Sequence, residues 1–235
     1  MKKIHLLISL AALLAASCGN PQKPVTENHA ISSRKVIEGD STRYGLACDG
    51  STDSILVFLR DEGGDPDTLN IIQAREERRI YGRPRIGDQL AVIVLADSTA
   101  EVESVINLSQ LQGQWCYQVT PTLRPSAHHP LRPLPDSIRQ RIMAPREYGI
   151  RLRRDGTAFT IGMRRQQSID AMSPIKYPEV KRYASWHVFN GHIILEPTDS
   201  TQQSDTVDVQ LLRRDTLVLR FNDHEQGYYR KENGS

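Results

Sequence analysis

Apolar and polar residues alternate through the second half of this chain, and turn residues cut the alternation into hairpins. A period of two puts every other side chain on one face, so alternation over about four to eight residues marks a half-buried strand. Tyr148-Gly149-Ile150-Arg151-Leu152 leads through Asp155-Gly156 into Phe159-Thr160-Ile161-Gly162-Met163. Read as a two-residue turn, Asp155-Gly156 predicts that Leu152 opposes Phe159, Ile150 opposes Ile161 and Tyr148 opposes Met163. All six would then share the core face. A second hairpin turns at Asn190-Gly191 and sets Trp186, Val188, Ile193 and Leu195 on one face, with His187, Phe189, His192 and Ile194 on the other. A third pairs Val207, Val209 and Leu211 with Leu217, Leu219 and Phe221 around Arg213-Arg214-Asp215. Gly227 to Lys231 supplies one more strand.

This series begins at Leu111-Gln112-Gly113-Gln114-Trp115. The strand continues to Val119 and places Trp115, Tyr117 and Val119 on one face. Pro121, Pro125, Pro130, Pro133 and Pro135 then exclude regular structure, and Asp136 is expected to cap a brief helix with Ile138 and Ile142 on one face. Eight strands joined mostly as hairpins suit a closed up-and-down barrel over residues 109–232.

The preceding segment, residues 43–108, is also strand-rich. Ser54 to Leu59 is an apolar run bounded by turn residues, Thr68 to Ile72 returns, Ala74 to Ile80 tolerates helix, and Gln89 to Leu95 and Val102 to Leu108 are further strands. Three strands, a short helix and two strands is the order of an OB-like barrel, so the fold class is all-β throughout. Arg75, Arg78, Arg79, Arg83 and Arg85 are interrupted by Glu76 and Glu77. Mixed signs at that density read as a solvated face rather than a nucleic-acid groove.

The N-terminus sets the compartment. Lys2 and Lys3 precede an apolar run from Ile4 to Leu14, and Ala15-Ala16-Ser17 offers small residues just before Cys18. Residues 1–17 therefore read as a secretory signal that looks like a bacterial lipobox, with Cys18 as the lipid-attachment residue. Residues 18–42 are polar and read as a flexible tether. No acidic cluster follows Cys18, which favours a periplasm-facing outer-membrane lipoprotein. Loss of Lys2 and Lys3 would leave 28 basic and 28 acidic residues, so no global field draws the protein to nucleic acid. With Cys18 lipidated, Cys48 and Cys116 remain, either paired in an oxidising compartment or buried as free thiols.

From Leu111 to Lys231 the chain resembles the lipocalin-like lipoproteins of Gram-negative bacteria. The resemblance rests on Leu-x-Gly-x-Trp, on Asp155-Gly156 before Thr157 and Ala158, and on Gly227-Tyr228-Tyr229-Arg230-Lys231. It implies a barrel with a cavity and no cofactor. It also implies that Trp115 lies at the closed end beneath an arginine of the last strand, for which Arg230 is the candidate.

No nucleophile elbow, P-loop, dinucleotide fingerprint, Cys-x-x-Cys or His-Glu-x-x-His occurs, so no catalytic or metal-binding residue is assigned. His128-His129 falls in a proline-rich loop, and His187 and His192 are expected on the barrel exterior. Three functions compete: a binding module for a small apolar or amphipathic ligand, an envelope interaction protein with a filled barrel, and, last, a hydrolase. For the first, the ligand wall expected from the inward set is Trp115, Tyr148, Ile150, Leu152, Phe159, Trp186, Val209 and Leu219.

Overall fold

The computed structural model describes residues 37–123, 135–162, 175–176 and 180–232. Met163, Cys18, His128 and His129 lie outside them. The protein is all-β. Strands β1 (Arg43–Ala47), β2 (Ile55–Arg60), β3 (Asp67–Asn70), β4 (Ile80–Tyr81), β5 (Gln89–Val94) and β6 (Val102–Asn107) form one sheet in the order β3-β2-β1-β5-β6-β4. Helix α1 (Ile72–Glu76) follows β3, as the sequence order of an OB-like barrel predicts. A parallel bridge between Asn70 and Glu101 brings β3 back toward β6. Phe58, Leu56, Leu69, Leu90, Val92 and Val105 fill the space this curl encloses.

Helix α2 (Leu108–Leu111) connects directly to a second sheet. Its strands are β7 (Gly113–Val119), β9 (Arg146–Leu152), β10 (Ala158–Ile161), β12 (Tyr183–Phe189), β13 (His192–Pro197), β14 (Asp205–Leu212), β15 (Thr216–Arg220) and β16 (Glu225–Lys231). A two-stranded ladder of β8 (Thr122–Leu123) and β11 (Ile175–Lys176) stands apart, and helix α3 spans Asp136–Ile142. The eight strands follow one another around the sheet in sequence order, each antiparallel to the last, and the final strand β16 pairs with the first, β7. This is a nearly closed up-and-down barrel. At the seam Thr157 bridges Ser185, and the Trp186 amide donates to the Gly156 carbonyl at 2.8 Å. Further along, the Thr160 hydroxyl takes over the ladder's role, donating to the Lys181 carbonyl at 2.8 Å and accepting from the Tyr183 amide at 3.1 Å.

The Asn190-Gly191 hairpin forms as its sequence requires. Both residues have positive φ, 49° and 78°, and Trp186 pairs with Leu195 and Val188 with Ile193, all four buried.

Two registers differ from expectation. In the β9–β10 hairpin Leu152 opposes Ala158, not Phe159, and Ile150 opposes Thr160, not Ile161. Only Gly156 has positive φ, +80°, so the two-residue turn is not made. The Arg153 amide instead donates to Thr157 O, and the Gly156 amide to Arg153 O, which makes a three-residue loop closed by a glycine bulge. One extra residue inverts the faces of β10. Ala158 is fully buried, while Phe159 points outward and is 48% exposed. In β14 an irregularity between Val209 and Leu211 turns Leu212, rather than Leu211, into the core. Asp136 is the first residue of α3 and makes no capping bond; Pro135 holds the cap position.

The barrel does not end in solvent at its Trp115 end. Ala91, Ile106, Leu108 and Leu111 join the barrel residues Trp115, Leu152, Trp186, Val188, Leu212 and Leu217 in one buried cluster. Polar contacts sew the same junction. The Tyr44 hydroxyl donates to Val188 O at 2.5 Å, and the Gly82 amide donates to Leu212 O at 3.1 Å. Asp40 accepts from the Asn190 amide at 2.9 Å, and the Ser41 amide donates to the Asn190 side chain at 2.8 Å. The six-stranded sheet therefore stoppers the barrel, and both belong to one compact unit.

Candidate functional site

At the stoppered end the barrel interior is filled by one cluster of buried apolar side chains. Trp115, Leu152, Ala158, Trp186, Val188, Ile193, Leu195, Val207, Val209, Leu217 and Leu219 are all buried there. The Trp115 indole N–H donates to Leu111 O at 2.7 Å, and Trp186 donates its own to Arg153 O at 2.9 Å. Arg230 projects inward from β16, its guanidinium 4.1 Å from the centre of the Trp115 ring. It also donates to the carbonyls of Gln110, Gln112 (2.9 Å) and Arg214 (2.6 Å). These carbonyls stand at the half-buried end of α2 and in the exposed β14–β15 turn, and at the helix end the guanidinium satisfies carbonyls that have no intrahelical partner. The arginine expected over Trp115 is therefore present.

Among the described residues, the other end of the barrel is not stoppered. A cavity of about 300 Å³ lies in its mouth. Its walls are Ile150, Tyr117, Tyr183, Tyr228 and Phe221, with Lys181, Asp205 and His224 among the polar lining groups. The placement follows from strand parity. Tyr117 is two residues mouthward of Trp115 on β7, and Tyr228 two residues mouthward of Arg230 on β16, so both share the inward face. Their rings meet edge to face at 5.4 Å, and Phe221 stacks on His224 at 5.0 Å.

Polar groups in the mouth are ordered. The Tyr183 hydroxyl donates to Asp205 Oδ2 at 2.6 Å, and Lys181 Nζ meets Asp205 Oδ1 at 2.8 Å. Burial, then the hydrogen bond to the Asp205 carboxylate, pushes the Tyr183 phenol far above its ordinary range. Burial raises Tyr228 and Tyr117 as well. Three neutral phenols thus face the cavity: Tyr183, its proton committed to Asp205, can still accept a hydrogen bond, and Tyr117 and Tyr228 can donate or accept one. An aromatic wall with a few placed polar groups is the chemistry of an amphipathic ligand pocket.

Of the eight residues expected to form the ligand wall, only Ile150 lines this cavity. Trp115, Leu152, Trp186, Val209 and Leu219 belong to the packed end, and Tyr148 is buried beside Tyr117, 6.2 Å between ring centres. Phe159 faces outward for the register reason given above. Conversely, Tyr183, Tyr228, Lys181 and Asp205 were not expected in the site. The alternation of β16, once anchored at Arg230, identifies Tyr228; the Lys181–Asp205–Tyr183 group joins two strands distant in sequence and has no local signature.

The remaining candidates for chemistry resolve as surface pairs. His187 lies 3.7 Å from Glu196 and His192 2.5 Å from Asp208, both on the barrel exterior as expected. Among the described residues no group of three metal-ligating side chains comes together. Cys48 and Cys116 are free thiols, with no bond between them. Cys116 is fully buried on the outer face, and burial raises its pKa, which disfavours the reactive thiolate.

No known family model, no curated protein and no solved structure matches this chain.

Proposed function

We propose that this is a lipid-anchored envelope protein, held through Cys18, whose barrel mouth binds a small apolar or amphipathic ligand without catalysing a reaction on it. The observation that carries the reading is the aromatic mouth cavity of about 300 Å³, which reaches the lower end of the range of small-molecule sites. The neutral phenols of Tyr117, Tyr183 and Tyr228 would meet a ligand's polar end, and Ile150 and Phe221 its apolar body. The N-terminal signal and lipobox-like Cys18 support a periplasm-facing position on the outer membrane. Cofactors and nucleic acid have no place in the reading.

The test is native mass spectrometry of the protein taken from its own envelope, paired with titration by a fluorescent amphipath such as anilinonaphthalene sulfonate. A retained small molecule, or saturable single-site probe binding that a mouth substitution removes, supports the reading. Absence of both sinks it. A second reading is favoured by the filled interior of the other half of the barrel: an interaction protein that works through its surface. Co-purification of a stoichiometric protein partner with an empty mouth would select that one.

A further inference from the structure

The most exposed large apolar side chain among the described residues is Ile86, at 70%. It stands in the loop Arg83-Pro84-Arg85-Ile86-Gly87 between β4 and β5. The loop is fixed rather than loose. The Asp88 amide donates to Arg85 O at 2.9 Å, the Arg85 amide donates to Asp88 Oδ2 at 2.9 Å, and Gly87 takes φ +83°. That is a tight turn whose third position needs glycine and whose second position displays Ile86. A hydrophobic tip held on such a turn costs hydration in the free protein and is not required by the core.

A second basic loop is joined to it. The Gly82 amide donates to Leu212 O, the Arg83 amide donates to Gln110 Oε1 at 3.0 Å, and Arg230 ties Gln110 O to Arg214 O. Arg213 and Arg214 in the β14–β15 turn therefore share one corner of the molecule with Arg83 and Arg85. All four are exposed, and among the described residues none makes an ion pair. The carboxylates nearest in the chain are engaged locally: Asp88 accepts from Asn107 at 2.7 Å as well as from Arg85, and Asp215 accepts from the Thr216 hydroxyl at 3.0 Å.

We propose that this corner, Arg83, Arg85, Arg213 and Arg214 around the Ile86 tip, docks on the anionic phospholipid surface of a membrane. Four exposed guanidiniums, without an ion-pair partner among the described residues, match phosphate-bearing headgroups in charge and geometry. An isoleucine that enters the interfacial layer adds an apolar contribution a soluble acidic partner would not reward. Each basic residue close to an anionic leaflet contributes about 1 kcal/mol, or roughly fivefold in binding. The proposal takes from the function above only the lipid anchor, which would keep the protein at a membrane; it does not depend on what the mouth holds.

The experiment is vesicle co-sedimentation of the full chain carrying Cys18→Ser. Vesicles are phosphatidylcholine alone, or phosphatidylcholine with about one-third phosphatidylglycerol. Comparing variants in one background makes the N-terminal segment contribute equally to all. Expected results are tighter binding to the anionic vesicles, weakening as salt rises, and a loss of at least about tenfold in R83Q/R85Q/R213Q/R214Q. Ile86→Asp alone should lose several-fold. A control variant, R78Q/R139Q/R141Q/R182Q, changes charge equally elsewhere and should keep its binding. Equal binding to neutral and anionic vesicles overturns the proposal, as does equal loss in the control. Intact binding in a fold-checked R83Q/R85Q/R213Q/R214Q overturns it as well. Should that variant fail to fold, Ile86→Asp and Arg85→Gln decide, and two unchanged single variants are fatal to the proposal. Vesicle binding unaffected by Ile86→Asp, with capture of an acidic polymer that phospholipid does not displace, would assign the corner to an acidic macromolecule instead.

Discussion

The guanidinium of Arg230 lies 4.1 Å from the centre of the Trp115 ring while donating hydrogen bonds to the carbonyls of Gln110, Gln112 and Arg214. One side chain from the last strand thus holds the first strand, the helix that leads into it and a neighbouring turn. A cation on an aromatic face contributes about 0.5–2 kcal/mol, and hydrogen bonds from a charged donor about 1.5–3 kcal/mol each before screening. Arg230→Met is expected to destabilise the protein by about 2–3 kcal/mol, because it removes the ring contact and also leaves two half-buried carbonyls without this donor. Arg230→Lys should lose less, keeping the charge but not the fork. Denaturant unfolding followed by tryptophan fluorescence checks both, and an unchanged midpoint in Arg230→Met contradicts the arrangement.

Gly156 adopts φ +80° as the bulge residue of the β9–β10 loop. A β-branched side chain is strained there, so Gly156→Val is expected to cost about 1–3 kcal/mol. The loop also fixes which face of β10 is buried. A thermal melt that does not move would show that the turn is made differently.

At Gly149 the constraint is space rather than φ. A Cβ there would overlap the carbonyl oxygen of Trp115 on the adjacent strand. Gly149→Ala must force β7 and β9 apart beside the central tryptophan, and is expected to reduce stability by at least about 2 kcal/mol. Hydrogen exchange should show lost protection at the β7–β9 ladder before the rest of the barrel.

Tyr117, Tyr183 and Tyr228 have phenol pKa values raised above the ordinary value, by burial first and, for Tyr183, by Asp205 as well. A raised folded-state pKa means that the folded protein holds the proton more tightly than the unfolded chain. The associated stability is complete below the unfolded tyrosine value of about 10 and is lost as pH rises from there toward the folded values. Absorbance of phenolate should therefore show exposed tyrosines titrating first, with these three ionising only as the protein unfolds in base. Early titration of all tyrosines with the fold intact would contradict this.

Gln226 reaches the mouth cavity from β16 and is half-buried. Gln226→Trp is expected to fill the mouth and abolish amphipath binding with little effect on the melting temperature. Val209→Trp, by contrast, would overpack the filled end and lower stability by about 1–3 kcal/mol. Probe titration and thermal melts on the two variants separate mouth from core.

The sequence by itself determined the all-β class, the OB-like order before Leu108 and the meander after it. Those features depend on alternation and on turn residues, which are local. The Asn190-Gly191 register was legible because both residues accept positive φ and nothing else competes for them. Trp115 and Arg230 were legible as a pair only through the likeness of their flanking motifs to a lipocalin-like pattern. The β9–β10 register was not, because Asp155-Gly156 serves either a two-residue turn or the end of a three-residue one. The choice went to the register that buries Ala158 at the closing seam against β12, leaving Phe159 outside. The site was least legible of all. Which inward residues pack and which line a cavity depends on where the stopper of Ala91, Ile106, Leu108 and Leu111 sits, and on Lys181, Asp205 and Tyr183 meeting across strands. Both are consequences of closing the barrel in three dimensions, and no period along the chain encodes them.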